Sequence, residues 1–209
     1  MIPASEALQR LRDGNRRFVS SLGSSQVTLN LARGVDLKMD QFPFAIVIGC
    51  SDARVPAEIV FDQGLGDLFV IRVAGNIVSP SQIGSVEFAA SRFGTRLVVV
   101  MGHSQCGAVR ATIEELQQPA ENQSPNLRAI VDRVKPSVIP LLSKRQQLRD
   151  VENLMEYAVR SNVSFAVAHL KHSSAVLEKL IANDGVRIVG AEYSLETGEV
   201  DFFDVDMMS

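Results

Sequence analysis

Phe44-Ala45-Ile46-Val47-Ile48-Gly49-Cys50-Ser51-Asp52-Ala53-Arg54 is a short apolar run that stops at a glycine and turns polar at once. Leu97-Val98-Val99-Val100-Met101-Gly102-His103-Ser104-Gln105-Cys106-Gly107 repeats the pattern. Runs of about five apolar, largely β-branched residues with no polar alternation fit strands covered on both faces, as a parallel sheet requires. Leu68 to Val73 is a third such run. Helical segments separate the three. Pro56 suits a first helical turn ahead of Ala57-Glu58-Ile59-Val60. Ser81 to Phe93 has a helical period that places Ile83, Val86, Phe88 and Ala89 inward. Strands alternating with helices imply right-handed βαβ units. The reading is one α/β domain with a central, mainly parallel sheet flanked by helices, in an order near 2-1-3-4.

The flanks complete this picture. Ser5 is placed as an N-cap, followed by Leu8, Leu11, Phe18 and Val19 at helical spacing with arginines on the other face. This predicts an N-terminal helical arm, packed on its own core or laid on a partner subunit. Gly23 to Asp40 shows no period and reads as an irregular connection. Ala108 to Gln117 predicts a helix, and Pro119 to Pro125 a polar break. Asn126 to Leu142 is helical, with Pro136 and Pro140 predicting kinks or two pieces. Helices are expected over Gln146 to Arg160 and Val163 to Asn183. Val186 to Leu195 and Glu199 to Val205, split by Thr197-Gly198, read as an antiparallel terminal strand pair. The expected layout within 1–209 is an arm and connection over 1–40, a chemical core over 41–120, and C-terminal helices and strands over 121–209.

Composition narrows the function classes. The 209 residues are 46% hydrophobic and 22% charged, which suits a globular chain and excludes an intrinsically disordered one. A net charge of −3 gives no electrostatic footprint for nucleic acid or an anionic membrane. The apolar runs are far too short to span a bilayer, and the first residues lack a signal peptide's pattern, so a cytoplasmic location is expected. Two cysteines make no disulfide scaffold.

Those cysteines lie where ligands bind in open α/β sheets, at the carboxyl ends of strands flanking a reversal of strand order. Thiolate and imidazole are preferred zinc ligands. His103 and Cys106, three apart at a strand-to-helix turn, can aim at one point, with Cys50 as third ligand from the neighbouring strand. A helix opening at Cys106 and Gly107 favours thiolate. Three ligands leave a fourth position open, as in catalytic zinc sites. Asp52 can take that position or accept a hydrogen bond there, and Arg54 can hold it off the metal. Singly, a strand-end cysteine is usually a small hydrophobe and a His-x-x-Cys often chance. Their joint placement at adjacent strand ends favours one zinc per chain. His169 and His172 read as a solvated helix face, and Gly64-Leu65-Gly66 as a turn.

At these residues the chain resembles the β-class carbonic anhydrases. Cys50 to Arg54 and His103 to Gly107 are similar to that family's two signatures. The likeness runs on through Arg54 to Glu58, Arg72 to Asn76, Ser85 to Ala89 and Leu11 to Phe18. The resemblance implies zinc-dependent, reversible hydration of carbon dioxide to bicarbonate and a proton, through a hydroxide formed on zinc. It implies Cys50, His103 and Cys106 as ligands, with Asp52 as a fourth only in a closed state and Arg54 as its switching partner. It further implies that Gln41 donates to substrate, commonly across a dimer interface. The Gly107 N–H would face substrate and Phe88 line the pocket wall. Self-association into a dimer or tetramer is expected, with Leu8, Leu11, Phe18 and Val19 in the contact. Some members bind regulatory bicarbonate through Trp, Arg and Tyr. Here Val47 stands at the Trp position beside a retained Arg72 and a matching Tyr193, so that regulation is not expected. Carbonyl sulfide and carbon disulfide hydrolases share the ligand set, and a non-enzymatic zinc or bicarbonate binder is the other rival.

Overall fold

Ala45, Val47, Leu97, Val99, Val189 and Ala191 face one side of a sheet, and Ile46, Ile48, Val98, Val100 and Ile188 face the other. This two-residue alternation, apolar on both sides, is what makes the strands central. The computed structural model describes residues 2–22, 41–119, 124–143 and 151–205, with backbone alone at 143 and 151–153. The strands are β1 (Ala45–Gly49), β2 (Leu68–Arg72), β3 (Leu97–His103), β4 (Arg187–Tyr193) and β5 (Val200–Phe203). Their order is β2-β1-β3-β4-β5, with the first three pairings parallel and β4–β5 antiparallel. The order predicted from sequence is therefore observed. The chain leaves β1 towards β2 on one side and returns to β3 on the other, so a crevice opens between the carboxyl ends of β1 and β3.

Helix α1 (Ala4–Ser21) and the short α2 (Ala57–Val60) cover the first face. Helices α3 (Pro80–Arg92), α6 (Val151–His172) and α7 (Ala175–Asn183) cover the second. A third apolar cluster lies beyond the carboxyl edge. It joins Cys50 and Cys106 to α4 (Gly107–Gln117), α5 (Pro125–Ser143) and the first half of α6. Between β2 and α3 the chain makes a one-turn 3₁₀ segment, Ala74–Asn76, with Gly75 at φ +68°.

Several expectations are corrected. Helix α1 is flanked by Pro3 rather than capped by Ser5, because a proline needs no acceptor at a helix start. Leu8 and Leu11, expected in a partner contact, are packed in their own chain's core. Phe88 does not point inward: it is 53% exposed, since Val86, Ala89 and Ala90 form the buried stripe and 88 falls outside it. Helix α5 runs unbroken through Pro136 and Pro140. Buried Val131, Val134 and Val138 hold it, and Ser137 and Ser161 donate to the carbonyls of Val134 and Ser137. The break expected near residue 161 is absent. Ser161 and Asn162 lie inside α6 and bond to Ser137 and Gly75, and the helix ends instead before Ser174, which caps α7 by accepting from the Leu177 amide. The stretches 23–40, 120–123 and 144–150 lie outside the described residues, and with them the irregular connection, most of the polar break and the start of the helix expected at Gln146.

Candidate metal centre

Cys50 is the first residue past β1, His103 the last of β3, and Cys106 the N-cap of α4. Two parallel neighbours therefore deliver three donors to one end of one crevice. The two sulfurs and a histidine nitrogen lie within 4.8 Å of one another, and all three residues are buried. Donors bound to zinc at ~2.0–2.3 Å lie no more than ~4.6 Å apart, so the spread matches one ion.

The imidazole is oriented for the task. Its Nδ1 lies 2.9 Å from the Ser104 carbonyl, which assigns the proton to Nδ1 and leaves the Nε2 lone pair facing the sulfurs. Nε2 is buried and has no hydrogen-bond partner among the described residues. A buried ring nitrogen without a partner is costly unless something else binds it. Ser104 is itself tied down, its amide donating to Tyr193 and its hydroxyl accepting from the Leu195 amide. Gln105 takes a left-handed conformation at φ +58° and is gripped by Arg110, which folds Cys106 back towards His103.

The two thiols push each other apart. The Cys50 thiol is pulled below its usual range, chiefly by a hydrogen bond from Cys106 and further by His103 and the Gly75 N–H. Cys106 is driven upward by holding that proton and by burial, against a pull from the amides of Val109 and Ala108 at the start of α4. One thiolate forms readily, and a second beside it needs a cation. The donor set therefore fits a divalent soft-to-borderline metal, and zinc best. Among the described residues this is the one such group; His169 stacks on Phe165, and His172 sits 3.9 Å from Glu178.

Asp52 stands at the mouth. Its Oδ1 accepts from the Arg54 amide at 3.0 Å and Nε at 2.9 Å, and its Oδ2 from Arg54 Nη2 at 2.7 Å. Arg54 thereby holds the carboxyl well below the usual range. Oδ2 is also 3.9 Å from His103 Nε2, so the paired carboxylate borders the ligand cluster. Arg72 braces this loop, donating to the carbonyls of Cys50 at 3.1 Å and Asp52 at 2.6 Å. Sequence reasoning missed that role, because Arg72 acts on backbone atoms that carry no residue signature.

Gly107 opens α4 beside Cys106, where its N–H has no intrahelical acceptor and a side chain at Cα would meet open space. Gln41 and Phe88 are not brought to this cluster. Gln41 is exposed and precedes β1 at its amino end, a strand length of ~16 Å from the carboxyl edge. Phe88 packs with Phe69 and Phe93, and Phe69 lies three residues, ~10 Å, below the end of β2. Val47 and Tyr193 are buried in the core on the α1 side of the sheet.

The carbonic anhydrase family model matches residues 45–200. A carbonic anhydrase of Mycolicibacterium smegmatis is 41% identical over 197 residues, covering 93% of this chain and 91% of that protein. The solved β-carbonic anhydrase CcaA superposes with a TM-score of 0.70 at 27% identity, over 94% of this chain and 95% of that one. One of two tetrameric β-carbonic anhydrases of Sordaria macrospora gives 0.70 at 22% identity, over 78% and 82%, a likeness of fold.

Proposed function

Since the chain belongs to the β-carbonic anhydrase family and is an enzyme of that family, we propose that it hydrates carbon dioxide reversibly at the Cys50–His103–Cys106 cluster. The observation that carries the reading is the convergence of three buried donors beside a carboxylate already fixed by an arginine. Zinc held there supplies a Lewis acid that brings the pKa of water down towards neutrality. Asp52 accepts a hydrogen bond from the attacking water and turns an oxygen lone pair towards the carbon. Arg54 keeps Asp52 in the orientation that does this and off the metal. The Gly107 N–H donates to an oxygen of the forming bicarbonate. The released proton leaves through solvent and buffer.

Gln41 and Phe88 join this site only from a second copy of the chain, since each lies far from its own cluster. The Sordaria macrospora relative is tetrameric, which is in keeping with self-association of this chain. No described helix is long and apolar enough to cross a membrane.

The test is stopped-flow carbon dioxide hydration from pH 6 to 9 on protein with quantified zinc. Near one zinc per chain and a rate that climbs with pH supports the reading. Near one zinc per chain with no hydration at any pH refutes it, and carbonyl sulfide and carbon disulfide become the substrates to assay.

A further inference from the structure

Asn162 sits in the middle of α6 and is only 2% exposed. A buried amide must be bonded, and its partners show what it is for. Its Nδ2 donates to the carbonyl of Gly75 at 2.9 Å. The Gly75 N–H in turn points to Cys50 Sγ, at 3.4 Å. Glycine is the residue least able to hold its own orientation, and at φ +68° this one occupies a conformation that L side chains rarely adopt. A side chain there would also meet Ala108 of α4 and Val134 of α5, at 3.0 and 3.5 Å. The turn is therefore pressed from two sides, and Asn162 anchors it from a third.

The same stretch of α6 also bears on β3, the strand that ends in His103. A Cβ on Gly102, which precedes His103, would lie 2.6 Å from Val163 and 3.2 Å from Val159. One helix thus backs β3, the strand that ends at His103, through apolar contact, and the 74–76 turn that faces Cys50, through an amide.

We propose that Asn162 is a positioning residue of the metal centre: its amide fixes Gly75, so that the Gly75 N–H stays aimed at the Cys50 sulfur. The inference rests on the metal reading above. A hydrogen bond to a thiolate withdraws electron density from the sulfur and fixes its direction. Partners bonded directly to a ligand, as the Gly75 N–H is to Cys50, typically govern metal affinity by about 10–100-fold. Asn162 touches no substrate in this account and acts through two bonds in series.

The experiment compares wild type with Asn162→Ala and Asn162→Leu, the second filling the same volume without a donor. Ser161→Ala is the control, since it removes a neighbouring bond from α6 to Ser137 without reaching Gly75. Two quantities are read: zinc affinity by chelator competition, and the sulfur-to-metal charge-transfer band after cobalt(II) substitution. Folding is checked by circular dichroism. The expected result is a ~10-fold weaker zinc affinity, the lower end of the range for a direct partner, and a charge-transfer band shifted to lower energy in both Asn162 variants. Ser161→Ala should show neither change. A folded Asn162 variant with wild-type affinity and an unmoved band overturns the inference. So does a Ser161→Ala protein that changes as much, because the effect would then belong to the helix. Wild-type chain that binds no zinc overturns the metal reading first, so the two failures are separable.

Discussion

Asp52 and Arg54 are a pair in which each residue depends on the other's charge. Replacing Asp52 by Asn keeps the shape but halves the acceptor capacity, and Arg54 loses its partner. Asp52→Asn should lower kcat/KM for hydration by about 10²-fold while zinc per chain stays near wild type. Parallel stopped-flow and metal analysis check this, and loss of zinc along with activity would move Asp52 from the chemistry to the metal site. Cys106→Ser should instead lose most of its zinc, because it removes a donor from a set of three. The ligands were legible in the sequence because each is a distinctive residue type at a strand end. Arg72 and Asn162 were not, because they work through the carbonyls of Cys50, Asp52 and Gly75, and a backbone acceptor leaves no mark on composition or spacing.

Helix α1 shows how an element can be read correctly while its placement stays open between two surfaces. Its apolar stripe predicts a helix, yet the stripe alone does not say which surface receives it. Close approach decides: a Cβ at Gly14 would lie 1.8 Å from the carbonyl oxygen of Phe61. Asn15 next to it donates to Val60 and Gly198 and accepts from Val200, pinning the helix to its own chain. In an exposed helix Gly→Ala stabilises by up to ~1 kcal/mol. Here Gly14→Ala should destabilise by about 1–3 kcal/mol, because backbone must move to admit the methyl group. Urea denaturation measures the sign directly. The strands were the most legible elements, since unbroken apolar runs state their burial on both faces. The helix breaks were the least, because the prolines of α5 and the polar residues near 161 are absorbed by burial of α5 and by a bond from Ser161 of α6 to Ser137 of α5 that only tertiary structure supplies.

At the scale of the whole molecule the question is where one site ends and the next chain begins. Gln41→Ala should lower hydration by about 10²-fold, as loss of a transition-state donor does. If Gln41 serves a neighbouring chain, mixing Gln41→Ala subunits with inactive Cys50→Ser subunits should restore activity, as each contributes what the other lacks. Re-formed mixtures that stay as slow as Gln41→Ala alone would confine Gln41 to its own chain. Charge balance across the sheet gives a second test. Glu192 on β4 is raised above the usual carboxylate range by burial, with Arg160 only partly offsetting it and Glu156 and Asp201 adding to it. The folded chain therefore holds that proton more tightly than the unfolded one, and stability falls as pH rises above ~4 through the folded value. Glu192→Gln should raise the midpoint of thermal unfolding at pH 7, with the gain fading below about pH 4. The ligand strands have one further consequence. Cys50 and the His103–Cys106 pair are separated by about fifty residues that include all of β2 and α3, so an ion joining them closes a chain loop as a covalent staple would. Stripping the ion should thus cost stability through the freedom it returns to the denatured chain, and the same protein should unfold at a lower temperature in chelator than in zinc.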